Sequence, residues 1–154
     1  FTRGDEQSMR IGSMTKIWAC AGLRLGYVVA LDAQSCQVLA SRQPKWSVNG
    51  LALAIIEPML EKTDLRVMKD QLEVLRASLF LLLQEKGIAV QMTTANWLLI
   101  HNGATLYEHL AKKNIFMRNC ASFGLENTYR IAVPAKTSIE KIKIALMDFE
   151  VEHE

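Results

Sequence analysis

The sequence lacks a paired cysteine motif, a long apolar run, a charge run and an internal repeat, and each absence removes a class of protein. Cys20, Cys36 and Cys120 are odd in number, widely scattered and without CxxC spacing. Neither a disulfide framework nor a zinc site follows from them, and a reducing cytoplasm is the expected location. His101 and His109 stand across a strand–helix junction and His153 is terminal, so no metal triad is expected. The longest unbroken apolar runs, Leu51 to Ile56 and Leu79 to Leu83, fall far short of the roughly 20 residues that span a bilayer. The start, Phe1-Thr2-Arg3-Gly4-Asp5-Glu6, has no apolar signal core. No Met opens the chain, which is expected to begin inside a longer protein. Eighteen basic against 16 acidic side chains leave a net charge of +2, too balanced for a protein that tracks a nucleic-acid backbone.

What is present suits a globular protein. Half of the 154 residues are apolar and 22% are charged, near the soluble average. A chain of this length fits one domain, or a small domain with a piece of another, since single cores commonly occupy about 100–150 residues.

The pattern divides into elements. Ile17 to Ala21 reads as a short helical or looped stretch feeding a buried strand at Tyr27 to Leu31. Ser35 to Trp46 reads as a polar connection interrupted by Pro44, and Ser47 to Leu60 as a helix disturbed at its end by Pro58. Over 64–86, Leu65, Met68, Leu72, Leu75, Leu79 and Leu82 recur at threes and fours, with Asp64 to cap the start and Gly87 the end. Ile88–Thr93 and Asn96–His101 are expected to be antiparallel strands. A helix follows through Leu106, Tyr107 and Leu110, then strands at Ile115–Cys120 and Tyr129–Val133. Thr137 and Glu140 have capping-box spacing before a last stripe of Ile139, Ile142, Leu146 and Phe149. Strands interleaved with helices imply an α/β or α+β fold, an antiparallel-rich sheet covered by helices.

Chemistry concentrates at Ser13-Met14-Thr15-Lys16, with Arg24 eight positions after the lysine. A lysine that forms Schiff bases must be partly neutral near pH 7, and burial among Ile17, Trp18 and Ala19 would lower its pKa. Two hydroxyls and a guanidinium could hold a phosphate. The same residues could equally be a helix start with a solvated lysine. Ser-x-x-Lys is also the nucleophile motif of penicillin-binding proteins, and Lys136-Thr137-Ser138 imitates their Lys-Thr-Gly, but no Ser-Asp-Asn completes that set. Cys120, two positions from Arg118, reads as structural, and the seven methionines as core filler.

The run Ser13-Met14-Thr15-Lys16-Ile17-Trp18-Ala19-Cys20-Ala21-Gly22-Leu23-Arg24-Leu25-Gly26-Tyr27 resembles the cofactor-lysine segment of the class I/II aminotransferases, pyridoxal-phosphate enzymes. It is nearest to the branch holding histidinol-phosphate aminotransferase and threonine-phosphate decarboxylase. The resemblance continues through Pro44-Lys45-Trp46-Ser47-Val48-Asn49, which is similar to the decarboxylase branch, and through Arg118 to Leu125 and Tyr129 to Val133. It departs from the family pattern in a slightly short stretch between Arg118 and Arg130 and in Pro134, where relatives commonly carry arginine.

The resemblance covers the family's C-terminal part and implies roles. Lys16 would carry pyridoxal 5'-phosphate, Ser13 and Arg24 would hold its phosphate, Arg130 would receive the substrate α-carboxylate and Arg118 would help bind its anionic groups. Without the resemblance, Arg118 and Arg130 read as rim charges on adjacent strands. Residues 1–33 would be the end of a large cofactor-binding domain, 34–60 an interdomain connection and helix, and 61–154 the small domain. Phe1-Thr2-Arg3-Gly4 looks like the family sequence just after the aspartate that partners the pyridine nitrogen, so that acid is expected upstream and the chain alone is expected to be inactive. The implied enzyme is a homodimer that decarboxylates a phosphorylated threonine for cobalamin synthesis. The alternatives are transamination of histidinol phosphate or another amino acid, and a noncatalytic small-domain piece.

Overall fold

The structure, a computed structural model, describes residues 8–150; the resemblance at Phe1-Thr2-Arg3-Gly4 lies outside them. The chain divides into two compact units, Phe1–Thr63 and Asp64–Glu154.

In the first unit, β1 (Arg10–Ser13) runs into a one-turn helix α1 (Met14–Ile17). A 3-10 turn over Ala21–Leu23 then leads to β2 (Gly26–Val29), which pairs antiparallel with β1. Gly12 lies opposite Tyr27, whose ring crosses it closely enough that a Cβ there would meet Cζ at 2.3 Å. Only glycine lets that ring lie across β1. The strand expected to be buried at Tyr27 to Leu31 is not: Val28, Val29 and Leu31 are exposed. A two-stranded ribbon has too little surface to bury both of its faces.

Two helices follow. The expected polar connection is instead helix α2 (Ala33–Arg42), started by Asp32, whose side chain accepts from the Ser35 amide at 2.6 Å. Its Val38 and Leu39 are exposed and it buries no residue, so it offers no apolar stripe, and Pro44 falls beyond its end. Helix α3 (Gly50–Lys62) begins at the Asn49 cap and continues through Pro58 to Thr63. Proline forfeits one backbone bond there without ending the helix.

The second unit carries the main core. Helix α4 (Leu65–Glu85) is capped by Asp64, which accepts from the Arg66 and Val67 amides at 2.9 and 3.2 Å. Of its stripe, Leu79 is fully buried and Leu75 and Leu82 are partly buried, whereas Leu65 and Met68 are exposed; Leu83, outside the stripe, is also fully buried. Then come β3 (Val90–Gln91), β4 (Trp97–His101), α5 (Ala104–Lys112), β5 (Arg118–Asn119), β6 (Thr128–Ala132) and α6 (Lys136–Ala145). The four strands form one antiparallel sheet in the order β3-β4-β6-β5. This is the mixed α/β fold with an antiparallel sheet and covering helices that the sequence implies.

Period-two alternation decides which side chains face the helices. Leu98 and Ile100 on β4 pair with Ile131 and Tyr129 on β6, and these four join Leu79, Leu83, Leu106, Leu110, Ile139, Ile142 and Leu146 in a single cluster. Gly103, just before α5, is packed tightly: a Cβ would stand 2.9 Å from Ile100 and 3.0 Å from Tyr129. Trp97, Leu99 and Arg130 point to the other face and take no part in the cluster. The Thr137/Glu140 capping box does not form, because α6 starts at Lys136 with Ala135 as its cap and Thr137 already lies inside the first turn.

The end of α6 is tied to α5 by polar contacts. Lys113 donates to both oxygens of Asp148 at 2.5 and 2.7 Å, and His109 Nε2 lies 2.7 Å from the Ala145 carbonyl oxygen and 3.5 Å from Asp148. The Lys113 hydrogen bond, then a backbone hydrogen bond, and to a lesser degree the charges of Lys113 and His109, hold the Asp148 carboxyl below its ordinary value against the opposing effect of desolvation. Such a depressed carboxylate stabilises the fold above its unfolded pKa, and that contribution is lost as pH falls through the lower folded value. Thermal unfolding of Asp148→Asn should therefore converge on the parent protein between about pH 5 and pH 2. Melting curves that keep a constant separation over that range would show that the contact contributes nothing.

Candidate functional site

The first unit gathers Ser13, Lys16 and Arg24 through its hairpin. Ser13 ends β1 opposite Gly26, two residues after Arg24, and the Met14 amide donates to the Leu25 carbonyl at 3.1 Å. The lysine-bearing turn is thereby docked beside the arginine. Ser13 Oγ and Thr15 Oγ1 are hydrogen-bonded at 2.8 Å, with Thr15 buried and Ser13 exposed. Lys16 is exposed as well. The burial expected from Ile17, Trp18 and Ala19 does not occur, because one helical turn carries neighbouring side chains to different sides.

Arg24 adopts the left-handed conformation, φ 51° and ψ 44°, and donates from its guanidinium to the Ala21 carbonyl at 3.2 Å. Ala19, at φ 53°, is also left-handed, so two non-glycine residues in this sparsely populated region bracket the 3-10 turn. Strain of this kind, roughly 1–3 kcal/mol each, persists only where surrounding contacts enforce it and gathers at functional sites. One enforcing contact is Asn49, which the sequence reading did not assign to the site: its Nδ2 donates to the Leu23 carbonyl at 2.8 Å while its Oδ1 caps α3 through the Ala52 amide, also at 2.8 Å. Trp18 Nε1 donates to Thr63 Oγ1 at 3.0 Å and ties α1 to the far end of α3. An apolar cavity of about 300 Å³ lies between the hairpin and α3, lined by Met14, Leu25, Tyr27, Ile56 and Leu60 among others. The polar-residue-before-apolar-run signal was available at Asn49; its reach back to Leu23 was not.

The second unit gathers the other two arginines. Arg118 on β5 and Arg130 on β6 are direct cross-strand partners, so their side chains leave the sheet on the same face. Like charges placed opposite each other destabilise a sheet pair. Among the described residues neither guanidinium has a carboxylate partner or a hydrogen bond, unlike Arg76, which donates to the Ala95 carbonyl and lies near Glu73. Each is instead stacked on an aromatic ring, Arg118 at 4.9 Å from the Phe123 centroid and Arg130 at 4.8 Å from that of Trp97. Trp97 reaches Arg130 diagonally, since its own cross-strand partner is Ala132 while Leu99 stands opposite Arg130. Phe123 is turned back by a 3-10 turn over Ala121–Phe123 that closes at left-handed Gly124, φ 76°. The rings were missed in the sequence because a residue five positions away, or on another strand, carries no local signal.

These donors fit pyridoxal phosphate by their chemistry. The lysine amine can condense with an aldehyde, and Ser13 with Arg24 offers a hydroxyl and a guanidinium to a phosphate. Two unpaired arginine forks on one sheet face can take carboxylate or phosphate oxygens. Among the described residues, no group of three or more His, Cys, Asp and Glu could hold a metal ion, and no helix is long and apolar enough to cross a membrane.

Residues 3–149 match the family described as aminotransferase class I and II. The chain is 29% identical over 142 residues to a histidinol-phosphate aminotransferase of Symbiobacterium thermophilum, covering 87% of this chain and 39% of that protein. It is 30% identical over 145 residues to the threonine-phosphate decarboxylase of Salmonella typhimurium, again covering 87% and 39%. Among solved structures, the histidinol-phosphate aminotransferase from Clostridium acetobutylicum superposes with a TM-score of 0.76 at 26% identity, over 90% of this chain and 44% of that one. The chain thus spans about two fifths of the length of these relatives.

Proposed function

Because this chain belongs to the aminotransferase class I and II family, whose members depend on pyridoxal phosphate, we propose that it supplies the cofactor lysine and the substrate-binding arginines of an enzyme acting on a phosphorylated amino acid. The observation that carries this reading is the hairpin that assembles Ser13, Lys16 and Arg24. Residues 1–33 are the end of the cofactor-binding domain, 34–60 the connection and 61–154 the small domain. The working enzyme is a cytoplasmic homodimer.

Lys16 would hold the cofactor, with Ser13 and Arg24 on its phosphate. When bound, pyridoxal phosphate supplies an electron sink for charge developing at the substrate Cα. The Lys16 amine would take or return a proton at that carbon. Arg130 grips the α-carboxylate in a fork that fixes both position and plane, and Arg118 takes the remaining anionic group. Which bond at Cα breaks depends on how these forks orient the substrate.

Decarboxylation of O-phosphothreonine, as a step toward cobalamin, is the first assignment. It is supported by Trp46-Ser47-Val48-Asn49 and by the 30% identity to a threonine-phosphate decarboxylase. Transamination of histidinol phosphate or a related amino acid is the second reading, supported by the 29% identity to an enzyme of that name. The intact protein, loaded with pyridoxal phosphate and given O-phosphothreonine without any keto acid, is expected to release carbon dioxide over many turnovers. An absolute requirement for a keto-acid acceptor excludes the decarboxylase and favours the transaminase. No turnover with either substrate would favour a noncatalytic role.

A further inference from the structure

The stacked pairs on the sheet face lead beyond the arginines themselves. We propose that Trp97 and Phe123 are positioning residues that hold the forks of Arg130 and Arg118 ready for anionic substrate; this rests on the reading of those arginines as the substrate site. Long cationic side chains lose substantial rotamer freedom when an anion immobilises them, and a free arginine also surrenders hydration on that face. A ring packed flat against one face of the guanidinium removes part of both costs in advance and leaves the in-plane N–H donors open. Here the Cζ of each arginine lies over a ring. The centroid distances are 4.8 and 4.9 Å, and the forks make no hydrogen bond among the described residues.

The arrangement also explains how two opposed cations coexist on adjacent strands. Each charge is attracted to a π-face on its own side: Trp97 lies on β4, beyond β6, and Phe123 lies in the turn following β5. Trp97 is half-buried at the start of β4, whose next residue, Leu98, is anchored fully in the core. Arg130 is therefore stacked on a half-buried ring whose strand is anchored in the core at the next residue, whereas Arg118 is stacked on Phe123, which is 58% exposed. The Trp97–Arg130 pair should be the more strongly ordered of the two and dominate affinity.

A double-mutant cycle in the intact, cofactor-loaded protein tests this, with O-phosphothreonine as probe and affinity read by calorimetry alongside KM and kcat. Trp97→Leu, which keeps apolar bulk but no ring, is expected to weaken binding and raise KM about twofold to fivefold with kcat little changed. Trp97→Phe should restore most of the loss. In the Arg130→Ala background, itself weakened by roughly tenfold or more, Trp97→Leu should have no further effect. Equal effects of Trp97→Leu with and without Arg130 would overturn the positioning role while leaving the arginine site standing. If Arg130→Ala leaves affinity unchanged, the substrate-site reading itself fails, and the positioning role falls with it.

Discussion

Replacing Lys16 with alanine is expected to abolish turnover in the intact protein, with a loss of roughly a thousandfold or more, and to abolish covalent retention of pyridoxal phosphate. Proton transfer by a positioned side chain alone is worth about 10²–10⁴-fold, and Lys16 is also the group that would hold the cofactor. Borohydride reduction followed by peptide mass spectrometry should find the cofactor on the peptide containing Lys16 in the parent protein and nowhere in Lys16→Ala. Lys16→Arg is the informative companion. It keeps a cation at the position, but guanidinium does not serve as the amine nucleophile, so a charge-only role would survive it and the proposed role would not. Cofactor trapped on a different lysine, with turnover intact in Lys16→Ala, would remove the central premise. The exposure of Lys16 makes the measurement pointed: among the described residues its immediate neighbours in sequence do not bury it.

The second large effect is structural. Leu98 is fully buried on β4, opposite Ile131, between the sheet and its helices. Truncation to alanine removes the buried side-chain atoms and leaves a cavity that neighbours refill only in part, a loss of about 2–5 kcal/mol. Because Leu98 follows Trp97 directly, the loosened strand should also free the ring beneath Arg130. Native-state hydrogen exchange of the β4–β6 amides is the appropriate reading, since local opening reports on this layer even if the whole molecule unfolds in several steps. Leu98→Met, which roughly conserves volume, should cost less than about 1.5 kcal/mol. A loss below about 1 kcal/mol in Leu98→Ala would mean that the sheet–helix layer is not the stabilising core.

The two predictions depend on different kinds of information. The helix over 65–85 could be read directly, because a stripe at threes and fours, an aspartate cap and a left-handed Gly87 are local features. The same holds for β4 and β6, whose alternation places Leu98, Ile100, Tyr129 and Ile131 on one face. Helix α2 escaped because it has a cap but no apolar stripe, and periodicity cannot detect a helix that buries nothing. The capping box at Thr137 misled because its spacing matched while the helix had already begun at Lys136. Lys16 and Arg24 stood out through their eight-residue step and its resemblance to a family; residue chemistry alone left the lysine indistinguishable from a solvated one.

What the sequence determined by itself is the set of local elements and the identity of the chemical groups: one amine, its hydroxyls and three arginines at family-like spacing. Tertiary structure decided which of them meet. Strand register places Ser13 beside Gly26 and sets Arg118 directly against Arg130, and a diagonal between strands puts Trp97 under Arg130. It also decided that Val28 and Lys16 stay exposed despite apolar neighbours. The reason is physical. Helix caps and periodicity act over a few residues, whereas burial, cross-strand pairing and cation stacking depend on segments far apart in the chain, whose meeting no local pattern encodes.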